Sequence, residues 1–146
     1  MKAILGFLLF ILFLAGIAFV MLQGKQLAQL GGSGAELTGI TWQPVTVGGN
    51  AVRDGSGMFI TFDVDGSING HGGCNGFFGS LQQSESGIEV GPLGATRMAC
   101  PEEIMDREMA FLDAVQKTRG FESGRDSMSL LDEDESILAE FVAAAD

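Results

Sequence analysis

Two cysteines and one histidine are the side chains of this chain best suited to chemistry. Cys74 and Cys100 are its only cysteines and His71 its only histidine. Cys74 lies in Gly70-His71-Gly72-Gly73-Cys74-Asn75-Gly76-Phe77-Phe78-Gly79, and Cys100 ends Ala95-Thr96-Arg97-Met98-Ala99-Cys100-Pro101. The leading reading is a structural disulfide that ties the glycine-rich turn to the start of a helix. A loop of this length would contribute on the order of 3.5 kcal/mol through chain entropy. Two reduced cysteines packed as small hydrophobes are the first alternative. The second is a metal held by His71, Cys74 and Cys100, which lacks a fourth ligand for a closed zinc set. No metal and no cofactor is therefore expected.

Nucleophilic catalysis has little support, because nothing is placed to orient the His71 imidazole against Cys74. The glycine run leads into Phe77 and Phe78, a strand rather than the helix that a phosphate loop requires. Asp63 and Asp65 flank a turn in water, where general-acid work is not expected. The run from Asp63 also resembles the opening of a calcium loop, but its twelfth position is Cys74 rather than a glutamate. No catalytic residue is assigned, and the chain is read as a non-enzyme.

These residues sit on a domain of short strands. Ile40–Val47 reads as the first, with Trp42 as a core plug and Pro44 marking an edge or a bulge. Met58–Val64 alternates, placing Met58, Ile60, Phe62 and Val64 on one face. Asp65-Gly66 turns it into Ser67-Ile68-Asn69. Phe77–Gln82, Gly87–Val90 and Leu93–Met98 follow as strands. Pro101 then opens a helix over Glu102–Lys117 that Gly120 ends. Ile104, Met105, Met109, Phe111, Leu112 and Val115 form its apolar arc, and Glu108 falls inside that arc. A carboxylate there needs a partner, and Arg97 is the one expected, as a structural ion pair. Gly120–Glu122 reads as a brief strand. Ser127–Leu131 and Ser136–Val142 form a closing hairpin around a solvated acidic turn, Asp132-Glu133-Asp134-Glu135. The fold class is α+β and mostly antiparallel β, a barrel-like sheet closed by one helix.

Ahead of this domain, Ala3–Leu22 contains no polar or charged side chain. Twenty such residues span a bilayer core, so 1–22 is read as a retained signal anchor, with export after cleavage as the alternative. Residues 23–35 are a glycine-rich tether. Residues 36–146 form the domain, which carries six basic against 19 acidic residues, a net −13. That surface repels nucleic acid and anionic headgroups. The acidic domain and the two cysteines both favour the outer side of a cell membrane, single-pass, facing the periplasm or the exterior.

A specific resemblance accompanies these readings. Its residues run in order from Trp42 through Phe62-Asp63-Val64-Asp65-Gly66, Gly73-Cys74-Asn75-Gly76-Phe77-Phe78-Gly79 and Thr96-Arg97-Met98-Ala99-Cys100. Glu108, Phe111-Leu112 and Ser129-Leu130-Leu131 complete the set. The pattern resembles the META domain, the family of the HslJ-type heat-shock protein, over about residues 36–142. The resemblance implies a small cracked β-barrel with a helix across it, similar to secretion-pilot lipoproteins. It also implies envelope or secreted placement and links to stress, motility and antibiotic tolerance, and it brings no catalytic activity. The chain departs from envelope members in lacking a lipoprotein cysteine. The expected function is a membrane-tethered envelope domain that binds another envelope protein and supports stress tolerance. The alternative is a lipid carrier or sensor, with Phe59, Phe62, Phe77, Phe78, Phe111 and Phe141 lining its cavity.

Overall fold

The computed structural model describes residues 37–84 and 87–145, with side chains at 83 and 84 excepted. The proposed anchor and tether at 1–22 and 23–35 lie outside the described residues. Among the described residues no helix is long and apolar enough to cross a membrane.

Among the described residues the domain has ten strands and one helix: β1 (Thr41–Val47), β2 (Asn50–Ala51), β3 (Met58–Phe62), β4 (Ser67–Gly72), β5 (Gly76–Ser84), β6 (Gly87–Val90) and β7 (Gly94–Ala95), then α1 (Glu102–Lys117), β8 (Gly120–Ser123), β9 (Ser127–Leu131) and β10 (Ile137–Ala143). The sheet runs in the order β6-β5-β4-β3-β1-β10-β9-β8, with β2 added to β1 and β7 to β5. All the strand pairs are antiparallel. The two ends of the path approach each other where the Ile88 amide donates to the Arg119 carbonyl at 3.0 Å, so the barrel is nearly closed.

Alternation places the core as period two requires: Met58, Ile60 and Phe62 of β3 are buried, and Trp42, Ile68, Phe77, Met128, Leu130, Ala139 and Phe141 join them. The Trp42 indole Nε1–H donates to the Leu37 carbonyl at 3.2 Å, which satisfies its polar end inside the core. Phe111 of α1 meets Phe77 edge to face at 5.7 Å between ring centroids and Phe141 at 6.0 Å.

Three local expectations are corrected. Val64 is 93% exposed, because β3 stops at Phe62 and Asp63–Gly66 forms the turn. Gly66, at φ 83, supplies the left-handed residue that this turn needs, and the Ser67 amide donates to Asp65 Oδ1. The segment read as a strand over Leu93–Met98 pairs only at Gly94–Ala95. The helix covers Glu102–Lys117 as expected, but Gly120 is not its stop: Thr118, at ψ 131, has already left the helical conformation, and Gly120 is the first residue of β8.

Pro44 has a consequence for the whole sheet. With no N–H it cannot donate to a neighbouring strand, and β1 bulges between Pro44 and Thr46. The inward phase shifts there, from Trp42 and Pro44 to Val47, and Val45 is pushed outward. Pairing of β1 with β3 is confined to Thr41–Thr61 and Trp42–Ile60, and β1 turns to pair with β2 instead. The Met58 amide is taken by Ser56 Oγ at 3.3 Å. The two strands therefore part beyond Trp42.

Candidate functional site

The polar centre of the domain lies between the glycine-rich turn and α1. The apolar face of the helix places Phe111, Ala114 and Val115 in the core, and Glu108 enters with them at 7% exposure. Its Oε2 accepts the backbone amides of Cys74 at 3.1 Å and Asn75 at 2.5 Å. Its Oε1 accepts the Asn75 side-chain amide at 2.7 Å. Asn75, also buried, uses its remaining groups as well. Its Oδ1 accepts from the Thr96 hydroxyl at 2.9 Å and the Met98 amide at 2.7 Å, and its carbonyl accepts from the Gly72 amide at 2.8 Å. One asparagine thus joins the turn, the segment before the helix, and the helix itself.

Burial pushes the Glu108 carboxyl upward, but the Asn75 side chain, the Asn75 and Cys74 amides and the neighbouring His71 together outweigh it. The net direction is below the ordinary glutamate value, so this carboxylate is an ion held by amides. Gly72 is glycine for lack of room, since a Cβ there would lie 2.5 Å from Glu108 Cγ. Among the described residues no buried side-chain polar atom lacks a hydrogen-bond partner.

Arg97 does not pair with Glu108. It is exposed, and the ion pairs among the described residues are Arg107–Glu103 and Lys117–Asp113, both along the helix surface. Three amide donors satisfy the carboxylate without a second buried charge, which would itself have required desolvation.

Cys74 and Cys100 are joined, with their Cα atoms 6.0 Å apart. The bond consumes both thiols, which ends the readings as a reduced pair and as metal ligands with His71. The His71 ring lies beside Phe59, at 6.3 Å between centroids, and its Nδ1 accepts the Gly73 amide at 3.1 Å. Histidine here shapes the turn.

The six phenylalanines do not line one cavity. Phe62, Phe77, Phe111 and Phe141 are buried parts of the core, Phe78 is 62% exposed on the outer face, and Phe59 is half-buried beside His71. Met105 and Met109 are exposed too, so the helix buries a narrower arc than its wheel suggests.

Residues 35–145 match the META domain family. The chain belongs to the META domain family. No curated protein matches it. Three solved structures share the fold. One, an NMR structure, has a TM-score of 0.59 at 18% identity, covering 76% of this chain and 95% of that one. An NMR structure from Burkholderia xenovorans has a TM-score of 0.56 at 23% identity, covering 75% and 85%. A crystal structure of a DUF4847 family protein from Bacteroides vulgatus has a TM-score of 0.52 at 15% identity, covering 76% and 96%.

In this META domain, the residue that sequence reasoning undervalued is Asn75. Its signal was visible: an amide side chain beside a cysteine, within a glycine turn that continues into a buried strand. The second feature missed is a groove of about 540 Å³ where β1 and β3 part, walled by Pro44, Val45, Phe59 and Val142. Beside it lies a hollow of about 220 Å³ bordered by Arg53 and Arg107, and the loop 53–56 forms a wall of both.

Proposed function

We propose that this META domain is a non-catalytic binding module, held outside the cytoplasm by residues 1–22, that docks another envelope protein and supports the envelope under stress. The observation carrying this reading is the filled interior. Trp42, Phe77, Phe111 and Phe141 occupy the centre of the barrel, and Glu108 is committed to structural hydrogen bonds. A lipid carrier would need that interior, so the apolar groups left for recognition are on the surface, Val45, Phe78, Met105, Met109 and Val142 among them.

Native mass spectrometry of the full chain, purified in detergent from its own membranes, tests the reading alongside crosslinking in intact cells. A discrete protein adduct, with no small mass retained by the folded chain, is the expected result. A lipid-sized mass that leaves on unfolding, with no protein adduct, would overturn it in favour of a carrier.

A further inference from the structure

We infer that the split between β1 and β3 is the docking groove for an extended peptide segment of a partner protein, one that presents apolar side chains followed by a carboxylate. The inference rests on the protein-binding reading above and gives that reading a place and a chemistry.

The split arises from the chain itself. β1 leaves β3 after Trp42 because Pro44 cannot donate and the bulge turns the strand toward β2. The loop that follows β2 is held in shape around the opening. The Val52 amide donates to Val45 O at 2.9 Å, the Ser56 amide to Arg53 O at 3.2 Å, and Gly55 and Gly57 take φ of 72° and 74°. The groove is within the range of small binding clefts, and its polar loop faces its apolar strand wall. Such a mixed lining suits a strand-like peptide, whose successive side chains point opposite ways, better than an acyl chain.

Charge sets the direction of the ligand. The domain carries only six basic residues against 19 acidic, yet two of the six, Arg53 and Arg107, border the hollow beside the groove. Asp54 lies with them, so the hollow holds two guanidiniums and one carboxylate. Arg107 reaches Glu103 only at 3.9 Å on an exposed helix face, a weak pair that leaves its donors open to a better acceptor. Gly72 and Gly73 carry no side chains into the hollow; a Cβ on Gly73 would lie 3.5–3.6 Å from Met58, Ser56 and Ile104. A carboxylate repelled by the rest of this surface would meet two arginine forks here.

The experiment uses the isotope-labelled full chain in nanodiscs and two peptides: acetyl-Ser-Leu-Val-Phe-Asp with a free terminus, and its uncharged Asn-amide counterpart. The acidic peptide is expected to shift the amide signals of Gly55, Gly57, Gly72 and Gly73, and to bind about tenfold more tightly than the neutral one. R53Q and R107Q should each weaken the acidic peptide and leave the neutral one unchanged. Equal binding of both peptides, or no movement of these glycines at millimolar peptide, would overturn the inference. A photo-crosslinking side chain at Val45, and separately at Met109, distinguishes the two levels of failure. Protein adducts from position 109 alone remove the groove and leave the protein-binding reading standing; adducts from neither position remove both.

Discussion

Two glycine-bearing regions of this domain have opposite fates. At the turn 70–76, Gly72 leaves space that Glu108 fills, and each Glu108 oxygen receives donors from the turn. At the loop 53–57, Gly55 and Gly57 bend the chain around an opening that no described side chain fills, and Arg53 stays at the rim. The first region is locked by an ion, an asparagine and a disulfide; the second is an ordered edge with space beside it. Glycine permits close approach in both, and what differs is whether a second element arrives to fill the space. The helix reaches the turn with a carboxylate, whereas the bulge at Pro44 takes β1 away from the loop.

If that contrast is right, damage to the lock should cost stability and damage to the rim should not. The largest effect is expected from removing the disulfide: C74S/C100S should lower the unfolding free energy by about 3.5 kcal/mol, measured by urea denaturation against the oxidised protein. N75A should follow at about 3 kcal/mol, because it removes one Glu108 donor and strands the Thr96 hydroxyl and the Met98 amide. G72A, which drives a Cβ into Glu108, should cost about 2 kcal/mol, and a paired G72A/E108A variant should recover none of it if the carboxylate itself is the lock.

The pH dependence sharpens the same point. The folded Glu108 carboxyl lies below its unfolded value, so its contribution is complete above about pH 4.3 and is lost as the pH falls through the lower folded value. The difference between wild type and E108Q in urea midpoint should therefore shrink between pH 6 and pH 3. A constant difference would mean that packing, and not the charge, is lost. The smallest effect belongs to the rim. R53Q and R107Q should each change stability by less than about 0.5 kcal/mol, since their side chains make at most an exposed ion pair. A large loss from either would make the rim part of the fold.

What the sequence by itself determined was mostly local. Period-two alternation in Met58–Phe62, the Asp65-Gly66 turn, the bounds of the helix start and body, and the closing hairpin each rest on neighbours within a few residues, and each is found where the pattern places it. The family motif and the pairing of Cys74 with Cys100 were also legible, because a chain with only two cysteines has a single pairing to offer. Where local signals ended, so did the accuracy: Val64 followed the alternation on paper but sits in the turn, and Met105 and Met109 followed the helical wheel but face solvent.

Only the tertiary structure decided what Glu108 meets and where the phenylalanines go. Arg97, just before the helix, was the partner expected, yet the fold brings the Cys74 and Asn75 amides to the carboxylate from 34 and 33 residues away. Pairing a buried ion depends on which backbone groups are left without partners once the strands have registered, and register is a property of two strands at once. The same holds for the split beside Pro44. A missing N–H marks a possible break, but whether it opens a groove depends on where the neighbouring strand and loop are anchored.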